Sequence, residues 1–170
     1  MDTARLVLDA YQPSMRGEFL RWMDEAATEA FLSKSFLNGP RGDALFDAFV
    51  ETSSRRSPEH RVWAILWRSG ELVGHVEAKQ SSKTHEGELE LVYAVRRDRM
   101  GSGIATEAVA QVAVWLADAG ITTVAFINTA NSASRCVLQK AKFRPKVPHS
   151  SSDGEQWVYQ SRPASTESMA

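Results

Sequence analysis

The strongest constraint on the fold is a segment with the pattern of a strand, a turn, a helix and a second strand in immediate succession. Glu88–Val95 (ELELVYAV) first alternates and then becomes apolar throughout, which is typical of a strand entering a sheet interior. Ile104–Asp118 carries apolar residues at helical spacing and ends before Gly120, and Ile121–Ile127 is a β-branched strand. Such a crossover places its two strands parallel to each other. The sequence therefore predicts a sheet with a parallel pair at its centre.

Further strands flank this crossover in the sequence. Five segments have strand-like composition: Arg5–Tyr11, Val62–Trp67, Leu72–Ala78, Phe143–Val147 and Gln156–Ser161. The Arg68-Ser69-Gly70 sequence is typical of a tight turn, so we expect the second and third segments to form a hairpin. The last two segments flank a polar stretch, His149–Glu155, which we predict to be a loop.

Other segments are predicted to be helical: Ser14 to about Ala27, Asp43–Glu51 and Asn131–Ala141. Phe31–Pro40 is predicted to be a loop, and Ser53–Pro58 a solvated linker. These elements predict an α/β fold with a mixed, mostly antiparallel sheet of about six or seven strands, a central parallel pair, and helices on both faces.

The composition excludes several classes of protein. The 170 residues fit one domain, predicted at 1–162, followed by a disordered tail at 163–170. With 20 Lys and Arg against 21 Asp and Glu, we expect no nucleic-acid partner, because neutralising phosphates requires an excess of basic residues. The apolar runs are too short to span a bilayer and the N-terminus lacks a signal-peptide pattern, which predicts no membrane contact and a cytoplasmic location. The single cysteine, Cys136, predicts neither a disulfide nor a metal site.

The turn that follows Glu88–Val95, Met100–Thr106 (MGSGIAT), has the composition of an anion site. Small residues at Gly101 and Gly103 allow backbone N–H groups at a helix start to point outward together, and the helix dipole adds positive potential. Such a turn favours a phosphate or pyrophosphate. It lacks the lysine of a P-loop and the third glycine of a dinucleotide fingerprint. From these residues alone, an ordinary strand-to-helix turn remains the alternative.

Four segments, in order along the chain, resemble the motifs of a known family. They are Thr3–Leu8 (TARLVL), Glu90–Tyr93 (ELVY), Gly101–Ala108 (GSGIATEA) and Asn131–Phe143 (NSASRCVLQKAKF). Together they resemble the GNAT family of N-acetyltransferases, and the ATEA sequence resembles the branch that contains the ribosomal-protein N-terminal acetyltransferases. The resemblance implies the GNAT fold and direct transfer of an acetyl group from acetyl-CoA to an amine, without a metal.

The resemblance also implies where acetyl-CoA binds. Backbone groups of Tyr93, Ala94 and Val95 would contact the pantetheine arm, and an N–H near Tyr93 would polarise the acetyl carbonyl. Asn131 would also reach the pantetheine. The pyrophosphate would lie on the loop residues Arg99, Met100, Gly101, Ser102, Gly103, Ile104, Ala105 and Thr106. Arg96, Arg97 and Arg99 could meet the CoA phosphates.

Four residues are candidates for proton transfer. Glu90 matches a glutamate of the branch and could deprotonate the amine, directly or through water, with Glu88 as a second candidate on the same strand face. Leu138 replaces a tyrosine that many family members use for the leaving thiolate, so Ser134 or Tyr93 would take that role. The alternatives are an exposed position for Glu90, helix capping for Ser134 and core packing for Tyr93.

The sequence departs from the family pattern at three further positions. Met100 stands where Arg or Gln is usual, but CoA binding should survive because backbone amides do most of the phosphate binding. Val92 and Lys142 each replace a glycine, and Val92 would narrow the acceptor groove.

Other reactive or aromatic side chains are predicted to be structural. We expect Cys136 to be a small buried helix residue, and the histidines to be surface or strand residues: His75, His85 and His149. Core packing is the expected role of four aromatic residues that could alternatively line the acceptor groove: Trp22, Phe31, Phe36 and Phe46.

The predicted activity is an acetyl-CoA-dependent N-acetyltransferase, acting on a protein N-terminus, an amino acid or peptide, or a small amine. The acceptor-side segment Ala27–Ser57 has no acidic cluster for a polycation, and its candidate carboxylate clamp is limited to Arg41, Arg55 and Arg56. The replacements at Val92 and Leu138 leave open a non-catalytic acyl-CoA-binding sensor on the same fold. A monomer and a homodimer both remain compatible with the sequence.

Overall fold

The computed structural model describes residues 1–23, 40–55, 57–151 and 154–159. The described strands are β1 (Leu6–Asp9), β2 (His60–Trp67), β3 (Leu72–Lys79), β4 (Glu88–Val95), β5 (Thr122–Ile127), β6 (Phe143–Ser151) and β7 (Gly154–Tyr159). The described helices are α1 (Arg16–Met23), α2 (Pro40–Arg55), α3 (Ile104–Asp118) and α4 (Ser132–Lys140). Short 3-10 turns precede α1 and follow β4, at Pro13–Met15 and Arg97–Arg99. Within these ranges, no helix is long and apolar enough to cross a bilayer.

The described strands form one sheet in the order β1-β2-β3-β4-β5-β7-β6. Every neighbouring pair is antiparallel except β4 and β5, which are parallel and connected by the crossover helix α3. The predicted mixed sheet with its central parallel pair is therefore confirmed, and so is the hairpin of β2 and β3.

Each face of the sheet carries its own apolar core. On the α3–α4 face, buried residues of those two helices pack against β1, β3, β4 and the C-terminal strands. On the α1–α2 face, Phe19, Phe46 and Phe49 pack against the alternate residues of β2. Trp22 and Phe46 are 3% and 0% exposed in this second core, which confirms the packing role expected for them. The prediction of helices on both faces is confirmed.

The second helix is longer than the sequence predicts. It begins at Pro40 and continues to Arg55, so the first part of the expected linker at Ser53–Pro58 is helical. The hydroxyls of Ser53 and Ser54 donate to backbone carbonyls three residues earlier. The two hydroxyls therefore form their hydrogen bonds inside the helix, although the polar composition of this segment suggested a linker.

The C-terminal hairpin also extends further than expected. The stretch His149–Glu155 is mostly strand, because β6 continues to Ser151 and β7 begins at Gly154, with Ser150 in register with Glu155. The polar residues of this stretch suggested a loop, but backbone pairing in a hairpin does not require apolar side chains. The expected end of the first helix near Ala27, most of the loop predicted at Phe31–Pro40 and the predicted tail at 163–170 lie outside the described residues.

Candidate active site

The parallel strands β4 and β5 separate partway along their length. Their pairing runs from Glu88 opposite Thr122 to Glu90 opposite Val124 and then ends. Beyond that point β4 pairs only with β3, and β5 pairs only with β7, among the described residues. The facing edges of residues 92–95 and 125–127 therefore form an open wedge, in which backbone N–H and C=O groups can pair with an extended, amide-containing ligand.

The glycine loop lies at the end of β4, where the wedge is widest. Gly101 and Gly103 have φ values of 74° and 84°, a backbone region that glycine occupies without steric cost. Gly103 is the residue immediately before α3, and Ile104 anchors the helix start in the core with 1% exposure. The backbone N–H groups of Gly101–Thr106 donate to no acceptor within the described ranges. Six unpaired amides at a helix start can bind a phosphate group.

The glycine loop and the start of α3 contact the chain just before β1. The sequence analysis assigned no role to the residues that form these contacts. Arg5 donates to the carbonyl oxygen of Ser102 (3.0 Å) and pairs with Glu107 (2.6 Å), which also accepts from the hydroxyl of Thr3. Burial raises the pKa of Glu107, but the hydrogen bonds from Thr3 and the Arg5 backbone outweigh it and hold the pKa below its usual value. Both sides of this contact lie in segments that the sequence analysis had noted, TARLVL and ATEA. Only the fold shows that the two segments contact each other.

Two of the three arginines expected near the CoA phosphates are already paired. Arg96 donates to Glu71 (2.6 Å) and Asp98 (2.7 Å), and Arg99 donates to the same Glu71 (2.9 Å). Both guanidinium groups therefore already contact carboxylates of the chain, and their contact with CoA phosphates stays a prediction. Arg97 is exposed and has no partner in the part of the chain that the structure describes.

Tyr93 and Ser134 meet on the α3–α4 side of the wedge. The Tyr93 hydroxyl donates to the backbone carbonyl of Ser134 (3.3 Å), and the N–H of Ser134 donates to Oδ1 of Asn131 (3.0 Å). Asn131 is thus the N-cap of α4. Burial raises the pKa of Tyr93 to about 12, so its hydroxyl is a neutral donor near pH 7. Leu138, at the position of the missing tyrosine, is completely buried.

The two candidate carboxylates have different surroundings. Glu88 accepts from the backbone N–H of His85 (3.1 Å) and lies 3.5 Å from Nζ of Lys146. Glu90, at the last paired position before the wedge, is half-buried and has no hydrogen bond or ion pair within the described ranges. Both project from the α1–α2 face, opposite the face of Tyr93. Of the two carboxylates, Glu90 is the one without a partner among the described residues.

A buried polar network that sequence analysis missed lies on the same face. His75 lies in β3, which agrees with the strand alternative expected for it, and His75 and Glu77 are only 1% and 5% exposed. The hydroxyl of Tyr11 and Nδ1 of His75 are 2.9 Å apart. Glu77 lies 2.5 Å from Nε2 of His60 and accepts from Nζ of Lys79 at 2.9 Å. The sequence did contain one indication of this network: in HVEAK the polar residues alternate, which places them on one face of the strand.

The pKa values of the network are set by burial and by neighbouring charges. Burial lowers the pKa of His75 to about 4, so the ring is neutral at physiological pH. For Glu77, burial opposes ionisation, but the hydrogen bond from His60 and the charge of Lys79 outweigh it and lower the pKa to about 2. Glu77 is therefore a buried anion, held by partners that are both partly exposed.

Three remaining candidates, Cys136, Arg55 and His85, have exposed side chains. Cys136 is exposed on α4, which corrects the expectation of a buried residue. Arg55 is an exposed partner of Glu51 within α2. His85 is exposed, and some expected residues or side chains lie outside the described structure: Phe31, Phe36, Arg41, Arg56 and His149.

A cavity of about 280 Å³ lies away from the wedge, at the edge of β2 beyond the end of β1. Its lining includes Asp9, Arg61, Trp63 and Trp115 and none of the loop residues 99–106. We therefore locate the candidate site at the wedge, on the basis of its unpaired amides rather than of cavity size.

The chain matches a family model described as an acetyltransferase (GNAT) domain, over residues 5–144. No curated protein sequence matches it. Its fold is similar to that of many solved structures, among them an acetyltransferase from Agrobacterium tumefaciens, with a TM-score of 0.75, 17% identity, and coverage of 95% of this chain and 94% of that chain.

Two similar structures contain a CoA compound. One is the microcin C7 self-immunity acetyltransferase MccE in complex with acetyl-CoA and AMP, with a TM-score of 0.71, 12% identity, and coverage of 92% and 91%. The other is RimL, a ribosomal α-N-protein acetyltransferase, in complex with coenzyme A, with a TM-score of 0.71, 14% identity, and coverage of 92% of both chains. At these identities the similarity establishes the fold. With the family match over residues 5–144, it follows that this chain belongs to the GNAT acetyltransferase family.

Proposed function

We propose that the protein transfers the acetyl group of acetyl-CoA directly to a primary amine within a ternary complex, in the cytoplasm. The observation that carries the proposal is the row of six unpaired backbone amides, Gly101–Thr106, at the end of a wedge between two parallel strands. The acceptor classes are a protein N-terminus, an amino acid or peptide, and a small amine. RimL and MccE, which share the fold, are acetyltransferases crystallised with CoA compounds.

The residues of the wedge fit acetyl-CoA by their chemistry. The pyrophosphate is assigned to the amides of the glycine loop, with Arg97 as the exposed cation nearby and Met100, 54% exposed, contributing only its backbone. The pantetheine amides are assigned to the open β4 edge at Tyr93, Ala94 and Val95, and to the free amide nitrogen of Asn131. Acetyl-CoA supplies the activated thioester.

On the acceptor side, Glu90 is assigned as the group that takes a proton from the amine. An ammonium cannot act as a nucleophile, so the acceptor must lose a proton before its nitrogen attacks the carbonyl carbon. Glu90, at the point where β4 and β5 separate, has no partner among the residues that the structure describes, whereas Glu88 already contacts Lys146.

On the thiol side, the leaving sulfur is assigned a proton from Tyr93 or Ser134. Tyr93 carries a neutral hydroxyl whose acceptor, the carbonyl of Ser134, lies at the start of α4. The hydroxyl of Ser134 has no hydrogen-bond partner within the described ranges and is therefore free to donate. The C–N bond forms and the C–S bond breaks, which gives an amide and a free thiol. The nitrogen loses one proton to Glu90 before attack and a second one after it, and this second proton replaces the one that the hydroxyl gives to the sulfur.

A second candidate function is a non-catalytic acyl-CoA sensor on the same fold. It is favoured by one observation, the complete burial of an apolar residue, Leu138, where many family members carry a tyrosine. In that case the wedge and the loop would bind CoA, but Glu90 and Tyr93 would have no chemical role.

Calorimetry with acetyl-CoA, combined with thiol release in the presence of an amine panel, separates the two functions. The panel should contain peptides with free N-termini, amino acids, monoamines and polyamines. Saturable binding of acetyl-CoA together with thiol release dependent on one amine class supports the transferase. Tight binding without turnover on any amine would favour the sensor, and no binding of acetyl-CoA would overturn both.

A further inference from the structure

Lys79 contacts a different carboxylate from the one that strand register would suggest. Lys79 on β3 is directly opposite Glu90 on β4, and both face α1 and α2. Opposite charges at directly opposed positions of an antiparallel pair normally interact. Instead, Nζ of Lys79 lies 2.9 Å from Oε2 of Glu77, two residues earlier on its own strand. Glu90 is left without a partner within the described ranges.

The burial of the two carboxylates explains this choice. The side chain of Glu77 is 6% exposed, whereas Glu90 is half-buried. A charge removed from water loses much of its hydration and needs compensating partners, while a partly exposed charge keeps part of its hydration. Lys79 and His60 are the two partners of Glu77, and their side chains are 37% and 40% exposed. The position of Lys79 is therefore set by Glu77.

We infer that Glu77 is a positioning residue that holds the Lys79 ammonium away from Glu90 and so keeps the Glu90 carboxylate unpaired for the acceptor amine. The inference rests on the proposed function, in which Glu90 takes the amine proton. A Lys79–Glu90 ion pair would oppose that step in two ways. It would stabilise the charged carboxylate against protonation, and it would occupy the oxygens that an incoming ammonium contacts.

The arrangement also gives His60 a role. His60 shares Glu77 with Lys79 and lies in the same cross-strand row, His60–Lys79–Glu90, on three neighbouring strands. Because Nε2 of His60 occupies one oxygen of Glu77, the other oxygen faces Lys79 alone. Loss of the negative charge at Glu77 would therefore release Lys79 toward the nearest remaining carboxylate across the strand pair, which is Glu90.

The test uses three variants: Glu77→Gln, Lys79→Met and the double variant. Gln keeps the volume of Glu77 and can still accept from His60, so the core is conserved while the charge is removed. We expect Glu77→Gln to lower kcat/KM about tenfold, since Lys79 can then pair with Glu90, whereas Lys79→Met should stay within about twofold of wild type. The double variant should recover to within about threefold of wild type, because no lysine remains to occupy Glu90.

Two controls keep the outcomes separate. The melting temperature of each variant identifies simple destabilisation, which the second substitution would not repair. A crystal structure of Glu77→Gln should show Nζ of Lys79 within hydrogen-bond distance of Glu90, independently of any activity. A folded double variant as slow as Glu77→Gln, or an unmoved Lys79, would overturn the inference. Wild-type protein that binds acetyl-CoA but acetylates no amine would instead contradict the proposed function.

Discussion

The two sides of the wedge are built from different parts of the chain. The side assigned to CoA consists of backbone: unpaired amides of Gly101–Thr106 and the open edge of β4. The side assigned to the acceptor consists of side chains contributed by three strands: Glu77 contacts Lys79 and His60, and Glu90 lies across the strand pair from Lys79. A backbone site tolerates most side-chain changes except those that alter its shape. A side-chain site depends on individual charges, so the two sides should respond to mutation in different ways.

The largest effect is expected at the backbone side. Gly103→Val places a branched side chain at φ 84°, with its Cβ 3.4 Å from the Arg5 guanidinium that supports the loop, so the loop should change shape and acetyl-CoA affinity should fall at least about a hundredfold. Calorimetry measures the loss. Gly120→Val is the matched control, because Gly120 has φ 76° at the other end of α3 and carries the same backbone strain. Equal CoA affinity in both variants would show that the loop does not bind the phosphates.

The next largest effect tests the side-chain side. Glu90→Gln should lower kcat about a hundredfold and leave acetyl-CoA affinity unchanged, because a general base typically contributes that much to the rate. Steady-state kinetics and calorimetry measure the two quantities. Glu88→Gln, two residues earlier on the same face, should remain close to wild type, since Glu88 is paired with Lys146. Equal losses in both variants would remove the distinction between the two carboxylates.

A third prediction concerns the stability of the side-chain side. Burial lowers the pKa of His75 from 6.5 to about 4, so between these values the unfolded chain binds a proton that the folded chain excludes. The contribution of the neutral, buried His75 to the free energy of unfolding is therefore fully present above pH 6.5. It is lost as the pH falls toward 4, and the total loss is on the order of 3 kcal/mol. Urea unfolding across this range should show a shallower dependence on pH for His75→Gln. Parallel curves for the two proteins would contradict the assignment.

The smallest effect is expected where the two sides meet. Tyr93→Phe removes the hydroxyl that donates to the Ser134 carbonyl, and kcat should fall about tenfold if that hydroxyl also protonates the leaving sulfur. Ser134→Ala is the companion variant, because it removes the alternative donor and keeps the carbonyl. Stopped-flow thiol detection measures the rate. If only Ser134→Ala is slow, the proton donor is Ser134 rather than Tyr93.

The difference between the backbone side and the side-chain side of the wedge also explains how much of the molecule could be predicted from its sequence. The crossover from Glu88 to Ile127 and the glycine loop are contiguous in sequence, so their local pattern predicted both the parallel pair and the loop. The Glu77 network depends on the register of β2 with β3, and the register cannot be obtained from composition. His75 lies in a strand, as one of its two expected positions, but its burial against Tyr11 was not predicted because Tyr11 is 64 residues away in the sequence.

The errors in the predicted ends of helices and strands have a similar origin. Polar sequences suggested a linker at Ser53–Pro58 and a loop at His149–Glu155, yet the first is partly helix and the second mostly strand. In the first segment the hydroxyls of Ser53 and Ser54 bond to carbonyls of their own helix, and in the second the backbone pairs in a hairpin. Polarity indicates exposure more reliably than it indicates irregular backbone.

The contact of Arg5 with Ser102 and Glu107 also has a consequence for folding. These residues are separated by 97 and 102 positions, so the loop reaches its final support only after a very long chain segment has closed. We expect the CoA-binding end to be completed late in folding, when the first strand docks at the edge of the sheet. A ligand that binds the finished loop would then favour the docked strand by mass action, and its presence should slow hydrogen exchange in β1.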